Sequence, residues 1–104
     1  MNPQALSAIA SQRRRQILRL VWQTERSAGD LAARFDISWP AISQHLGVLK
    51  QAGLIRERRD GRHRFYTADG ETLGPLETVL TAMWRDDLDR LAELAESDEP
   101  HAGT

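Results

Sequence analysis

The stretch SWPAISQHLGVLKQAGLI, Ser38 to Ile55, opens with a helix-capping serine and a proline and closes at a glycine. Between those ends Ile42, Leu46 and Leu49, with Val48 beside them, recur at three- and four-residue steps, which predicts one buried stripe on a helix. Pro40 falls in the first turn, where its missing N–H has no partner to lose, and Gly53 supplies the C-terminal stop. The opposite side carries Trp39, Pro40, Ser43, Gln44, Lys50 and Gln51. A helix built only for solubility would present Glu and Lys there. This one offers an amide, short hydroxyls and an aromatic ring, with almost no acid.

The flanking segments say what kind of helix it is. In SAGDLAARF, Ser27 and Asp30 have the spacing of a capping box, so a short helix is expected over Ala28–Phe35, burying Leu31, Ala32 and Phe35. The three residues Asp36 to Ser38 join it to the quoted helix as a helix-turn-helix. Downstream, LIRERRDGRHRFYT (54–67) contains Asp60-Gly61, a two-residue hairpin signal of the type I′ kind. That turn places Arg59 opposite Arg62, Glu57 opposite Arg64 and Ile55 opposite Tyr66. Such a hairpin is a wing. Its base is apolar through Leu54, Ile55, Phe65 and Tyr66, and its tip sets Arg58, Arg59, Arg62, His63 and Arg64 against Asp60 alone. Like charges facing one another on an exposed ribbon are unfavourable until a partner neutralises them, and phosphates do so.

Both parts suit duplex DNA. A helix fits the major groove, where Gln and Ser hydrogen-bond base edges and an apolar side chain meets a thymine methyl. Arg and Lys on phosphates fix the register and supply the non-specific affinity. The charge distribution agrees: residues 1–67 hold 12 of the 14 Lys and Arg but five of the 15 acids, leaving an acidic segment over 68–104.

The ends of the chain carry other patterns. Ala5–Ala10 reads as a short apolar helix, and Gln12–Gln23 as a second with Ile17, Leu18, Leu20 and Val21 inside and the arginines outside. From Pro75 the residues Leu76, Leu80, Met83, Trp84, Leu88, Leu91 and Leu94 form a helical stripe of about six turns. That is more apolar surface than a small domain covers. The stripe is expected to pair with its copy, and with Leu6 and Ile9, across a two-fold axis. Packing on its own wing domain alone is the competing expectation.

At 104 residues the chain is one domain, marginal by itself, with a dimerisation helix at about 75–97 and a disordered tail expected over 98–104. Without cysteine there is neither a disulfide framework nor a thiolate metal site. No run approaches the roughly 18 apolar residues of a membrane span, and the N-terminus has no signal-peptide core. A soluble cytoplasmic protein is expected.

The run from Ser27 to Phe35, the pattern in SWPAISQHLGVLKQAGLI and the RRDGRHRFY wing together resemble the ArsR type of winged helix-turn-helix repressor, over roughly Ala5 to Leu94. The resemblance implies a mainly α fold with one β-hairpin, dimerising through its N- and C-terminal helices. It implies that Trp39, Pro40, Ala41, Ser43 and Gln44, capped by Ser38, face base edges while Lys50 and the wing cations flank the site. His45 lies on the family's S-x-H-L pattern, where it contacts phosphate or buttresses the helix. Metal-sensing relatives place cysteine in the segment matching AGDLAARF, or carboxylate and histidine pairs on the C-terminal helix. Here there is no cysteine, and Asp86, Asp87 and Asp89 have no histidine before His101. His45, His63 and His101 lie in three separate elements, so no metal site and no cofactor is expected.

The expected function is that of a homodimeric regulator, a repressor occluding an inverted-repeat operator, with its own promoter as one candidate. The alternative is a winged-helix module that docks its basic face on an acidic protein. No nucleophile–base pair or glycine-rich phosphate loop suggests an enzyme.

Overall fold

The computed structural model describes residues 3–102. In order along the chain come α1 (Pro3–Ile9), α2 (Gln12–Leu20), β1 (Arg26–Ser27), α3 (Ala28–Phe35), α4 (Trp39–Gln51), β2 (Ile55–Asp60), β3 (His63–Ala68), α5 (Gly70–Leu73), a 3-10 turn (Gly74–Leu76) and α6 (Glu77–Ala102). The strands form one antiparallel sheet in the order β1-β3-β2. The architecture is the expected winged helix-turn-helix, with β1, α5 and the 3-10 turn added to the elements the sequence pattern predicts. Of the tail expected over 98–104, residues 98–102 lie in α6 and the last two lie outside the described residues.

Four helices start on a side-chain oxygen. Ser11, Ser27 and Ser38 accept from the N–H groups of Arg14, Asp30 and Ala41, and Asp69 accepts from Glu71 and Thr72. Each cap satisfies a donor the helix cannot, worth about 1 kcal/mol. The return half of the capping box is absent. The Asp30 carboxylate accepts from Arg26 at 3.2 Å and Arg34 at 2.9 Å, because charged donors outcompete a backbone N–H.

Ile17, Leu18 and Val21 pack with Leu31 of α3 and with Ile42, Leu46 and Leu49 of α4. Leu54, Ile55 and Tyr66 close this core from the wing base. Val48 is partly exposed instead of buried with the stripe. Gly53, at φ +77°, turns the chain out of α4 with its N–H on the Lys50 carbonyl. The second helix stops at Leu20 instead of Gln23, and the freed Val21 carbonyl accepts from Ala68 at the end of β3.

The wing corrects the expected register. Ile55 pairs with Ala68, Glu57 with Tyr66, Arg59 with Arg64 and Asp60 with His63. The loop is therefore Gly61-Arg62, and of these two only Gly61 has positive φ, at +62°. Glycine at the first central position is the signature of a II′ turn, not of I′. The difference is a shift of two residues, which leaves every side chain on its expected face. Asp60 thus stays in the ladder as a strand residue.

A second correction concerns the arginines of α2. Arg15 is buried, its fork closed on Asp87 of α6 at 3.0 and 2.9 Å. Its remaining donors meet the carbonyls of Ile9 and Ala10, and its own carbonyl accepts from the Trp84 indole at 2.8 Å. One guanidinium therefore joins the end of α1, the start of α2 and the middle of α6.

The C-terminal stripe divides. Pro75 lies in the 3-10 turn and α6 starts two residues later. Leu76 and Leu80 are buried in the protomer's own core, as is Ile9, whereas Met83 and Trp84 are half-buried. Only Leu6, Leu88, Leu91 and Leu94 of the stripe and its α1 extension remain exposed. Of the eight residues expected at the dimer face, Ile9, Leu76 and Leu80 are buried within one chain. No described helix is long and apolar enough to cross a membrane.

Candidate nucleic-acid interface

On α4 the residues Pro40, Gln44, Gly47 and Gln51 succeed one another at steps of four and three, so they line the ridge opposite Ile42, Leu46 and Leu49. All four are exposed. Ser38 caps the helix at the same end, Ala41 is half-exposed on the flank, and Trp39 keeps 58% of its surface in solvent. Gly47 was not among the expected site residues. A Cβ there would meet nothing within 4 Å, so neither packing nor backbone geometry in the free protein calls for glycine. A mid-helix glycine costs about 1 kcal/mol relative to alanine, and its benefit is the close approach of another surface. That cost inside the helical pattern was the available signal.

Between the start of α3, α4 and the wing runs a groove of about 620 Å³. It brings together Trp39 and Ser43 of α4 with Arg62, His63 and Arg64 of the hairpin tip. These five expected site residues therefore border one concave surface. Gln44, Pro40 and Ala41 stand outside it, on the convex ridge of the helix.

The remaining cations are held by acids. Glu57 accepts from the Tyr66 hydroxyl at 2.9 Å and from Lys50 at 3.2 Å, and Arg59 lies 3.8 Å away. The hydrogen bond from Tyr66 is the main reason its carboxyl titrates below the usual range, with Lys50 adding to it. Burial, and then Glu57, push the Tyr66 phenol up. This junction fixes the wing base against the end of α4. Lys50 is thus a spacer between helix and wing as well as an exposed cation.

Arg58 sits over the Phe65 ring, 4.6 Å from its centroid, and donates to Glu25 at 2.7 and 3.1 Å. Neither Glu25 nor this pairing is foreseeable from the wing sequence, since 33 residues separate the partners. The two-pronged geometry is the one a guanidinium offers to a phosphate.

His45 is partly buried, and its Nδ1 has no hydrogen-bond partner among the described residues. Burial, then Arg14 and Arg13, lower its pKa below the ordinary value, so it is neutral at pH 7. A neutral ring adds no charge for phosphate and suits the buttress role. Asp87 is committed to Arg15 and Asp86 to Arg90. Among the described residues no three His, Cys, Asp or Glu side chains gather around a metal position. The side chain of His101 lies outside that description.

Comparison with known proteins gives this geometry a context. The model of the bacterial regulatory protein family arsR matches residues 11–57, from the cap of α2 into β2. The HTH-type transcriptional regulator Rv2034 of Mycobacterium tuberculosis is 37% identical over 94 residues, spanning 90% of this chain and 88% of its own. The transcriptional repressor SdpR of Bacillus subtilis is 42% identical over 66 residues, 64% of this chain and 73% of its own. Among solved structures, the homodimeric winged helix-turn-helix DNA-binding domain of Mb0332 from Mycobacterium bovis superposes with a TM-score of 0.70 at 30% identity. That superposition covers 80% of this chain and 77% of the other.

Proposed function

This chain belongs to the ArsR family of bacterial transcriptional regulators, and from that premise we propose that it is a cytoplasmic homodimer repressing transcription from an inverted-repeat operator. The observation that carries the reading is the exposed, acid-free ridge of α4 lying beside a groove rimmed by the wing's Arg62, His63 and Arg64. In the major groove Gln44 offers the bidentate donor and acceptor that adenine takes, and Ser43 serves either base. Trp39, Pro40 and Ala41 give apolar contact for thymine methyls, and Gly47 lets the helix settle deeply. Arg58, Arg59, Arg62 and Arg64 follow the flanking phosphates. No step of chemistry is involved, and the chain is not an enzyme.

The dimer reading rests on the exposed half of the stripe. Leu88 and Leu91 are each about half in solvent on α6, and Leu6 is similarly open on α1. Burying them against a second copy removes apolar surface that a monomer leaves in water. The homodimeric Mb0332 domain supports the same arrangement here. Two copies of α4 related by a two-fold axis then meet half-sites about 34 Å apart. SdpR, named a repressor, supports repression by occlusion, and the chain's own promoter is one candidate operator.

Selection of bound sites from random duplexes tests the whole reading: an inverted repeat is expected. No enriched sequence would move the basic face to an acidic protein partner. On the selected site Gln44→Ala should cost roughly 1 to 3 kcal/mol and change binding to scrambled DNA little, because it removes a base-edge contact. Leu88→Glu with Leu91→Glu should yield folded monomers that lose the site, whereas an intact dimer in sedimentation would remove α6 from the interface.

A further inference from the structure

A second concave surface lies between the end of α2, β1 and α6, with a volume of about 640 Å³. Its wall is aromatic. Trp22 and Trp84 meet edge to face with centroids 5.3 Å apart and planes at 87°, and Leu20 and Leu88 extend the apolar surface. The polar part is one-signed. Arg19, Arg26 and Arg85 line the cleft and no Asp or Glu does. Arg26 spends its Nε on the Leu20 carbonyl and a terminal nitrogen on Asp30. Arg19 and Arg85 are exposed, and among the described residues neither forms a salt bridge.

The geometry points to this cleft as a binding site for a small aromatic carboxylate. Its volume lies within the roughly 300 to 1,000 Å³ of small-molecule sites, and such sites combine apolar walls with a few convergent polar groups. A ring of the ligand packs on the two indoles, which prefer offset or edge-on partners. Its carboxylate meets Arg19 and Arg85, whose charge-assisted hydrogen bonds supply both strength and selection for an anion. Of the nearby acids on α6, Asp87 is on Arg15 and Asp86 on Arg90, and Asp89, one turn beyond Arg85, forms no ion pair with it. The two arginines therefore have no internal anion to displace. A neutral amphiphile fits the wall but leaves the cations unused, so the charge decides for the carboxylate.

The site also touches the joint between body and α6. The indole of Trp84 that forms the wall donates to the Arg15 carbonyl, and the Arg15 fork holds Asp87. A ligand resting on Trp84 thus bears on the contact that sets α6 against α2. Leu88 borders this cleft and also lies on the proposed dimer face, so the cleft opens beside that interface; the inference does not depend on the DNA-binding reading, and its test uses protein without DNA.

The experiment follows the three indole N–H signals of the isotope-labelled full chain by NMR while 3-phenylpropionate is added, with 3-phenylpropanamide as the uncharged probe. Saturable movement of the Trp22 and Trp84 signals with Trp39 unmoved is expected. The amide should bind at least about tenfold more weakly, because it forfeits two charge-assisted bonds. Arg19→Gln with Arg85→Gln should show the same loss for the carboxylate at an unchanged melting temperature. Failure to saturate, equal binding of acid and amide, or equal movement of Trp39 would overturn the assignment. So would an apparent affinity that falls as protein concentration rises, since a second copy would then occupy the cleft. The amide comparison is made on the unaltered chain, so it decides even if the double variant is unstable.

Discussion

Two arginines in this molecule close the same two-pronged hydrogen bond on a carboxylate, and they do opposite things. Arg15 meets Asp87 at 2.9 and 3.0 Å with about a tenth of each side chain exposed. Arg58 meets Glu25 at 2.7 and 3.1 Å with 54% and 37% exposed. The distances do not separate them; burial does. Around Arg15 every nitrogen of the guanidinium has a protein acceptor, so the pair is fixed and removing either partner strands a charge. Around Arg58 water competes for each bond, so the pair is a resting position that a phosphate can replace.

The largest effect is expected at the buried pair. Asp87→Ala leaves Arg15 with two carbonyls and no counter-charge, and should lower unfolding free energy by about 3 kcal/mol, the low end for a broken buried pair. Urea denaturation of both proteins at one protein concentration measures it, since a dimer makes stability concentration-dependent. A loss no larger than that of a surface substitution would erase the distinction between the pairs. The pH dependence follows from the hydrogen bond of Arg15, which holds the Asp87 carboxyl below its ordinary value. Its contribution is complete above the unfolded pKa, about 3.9, and is lost as pH falls through the lower folded value. The gap between the two proteins should therefore be constant near neutrality and narrow below about pH 4.

The same pair marks where sequence was legible and where it was not. The limits of α3 and the body of α4 follow from caps and apolar spacing, both local signals, and those elements formed where expected. Hairpin register is not local in that sense. A shift of two residues preserves the alternation of faces, so Ile55 and Tyr66 point inward in either register; Gly61 has positive φ in both, and what separates them is Asp60, which a I′ turn would hold at positive φ and which here stays in the ladder. Arg15 was legible after all: it stands three residues before Leu18 on the buried side of α2. Asp87 likewise stands between Trp84 and Leu91 on the α6 stripe. A charge on each of two apolar stripes is the mark of a partnership, and composition alone hides it. In the candidate site the α4 ridge was readable from one helix, whereas the Glu25–Arg58 contact depends on how segments 33 residues apart meet, and Glu57–Lys50 on how β2 packs beside the end of α4.

An intermediate effect is expected at Arg58. Arg58→Ala removes a cation from the wing without stranding a buried charge, so the melting temperature should stay close to that of the parent. Binding to the selected site and to scrambled DNA should weaken by similar factors, and the slope of log affinity against log salt should flatten by about one per subunit. A change confined to the selected site would make Arg58 a base reader.

The smallest effect sharpens the comparison most, because it comes from the acid and not the arginine. If Glu25 only parks Arg58, then Glu25→Gln weakens the resting contact, frees the guanidinium for phosphate and removes a negative charge from the wing. Binding should tighten by roughly two- to fivefold, the scale of an exposed ion pair, on selected and scrambled duplexes alike. The carboxyl of Glu25 is already held low by its bond to Arg58, so it is ionised throughout the neutral range and the gain should not vary there with pH. Rising salt should shrink the gain, since both effects are screened within about 10 Å at 0.1 M. If Glu25→Gln instead weakens binding, the carboxylate is positioning Arg58 for DNA, and the two forks share a single structural role.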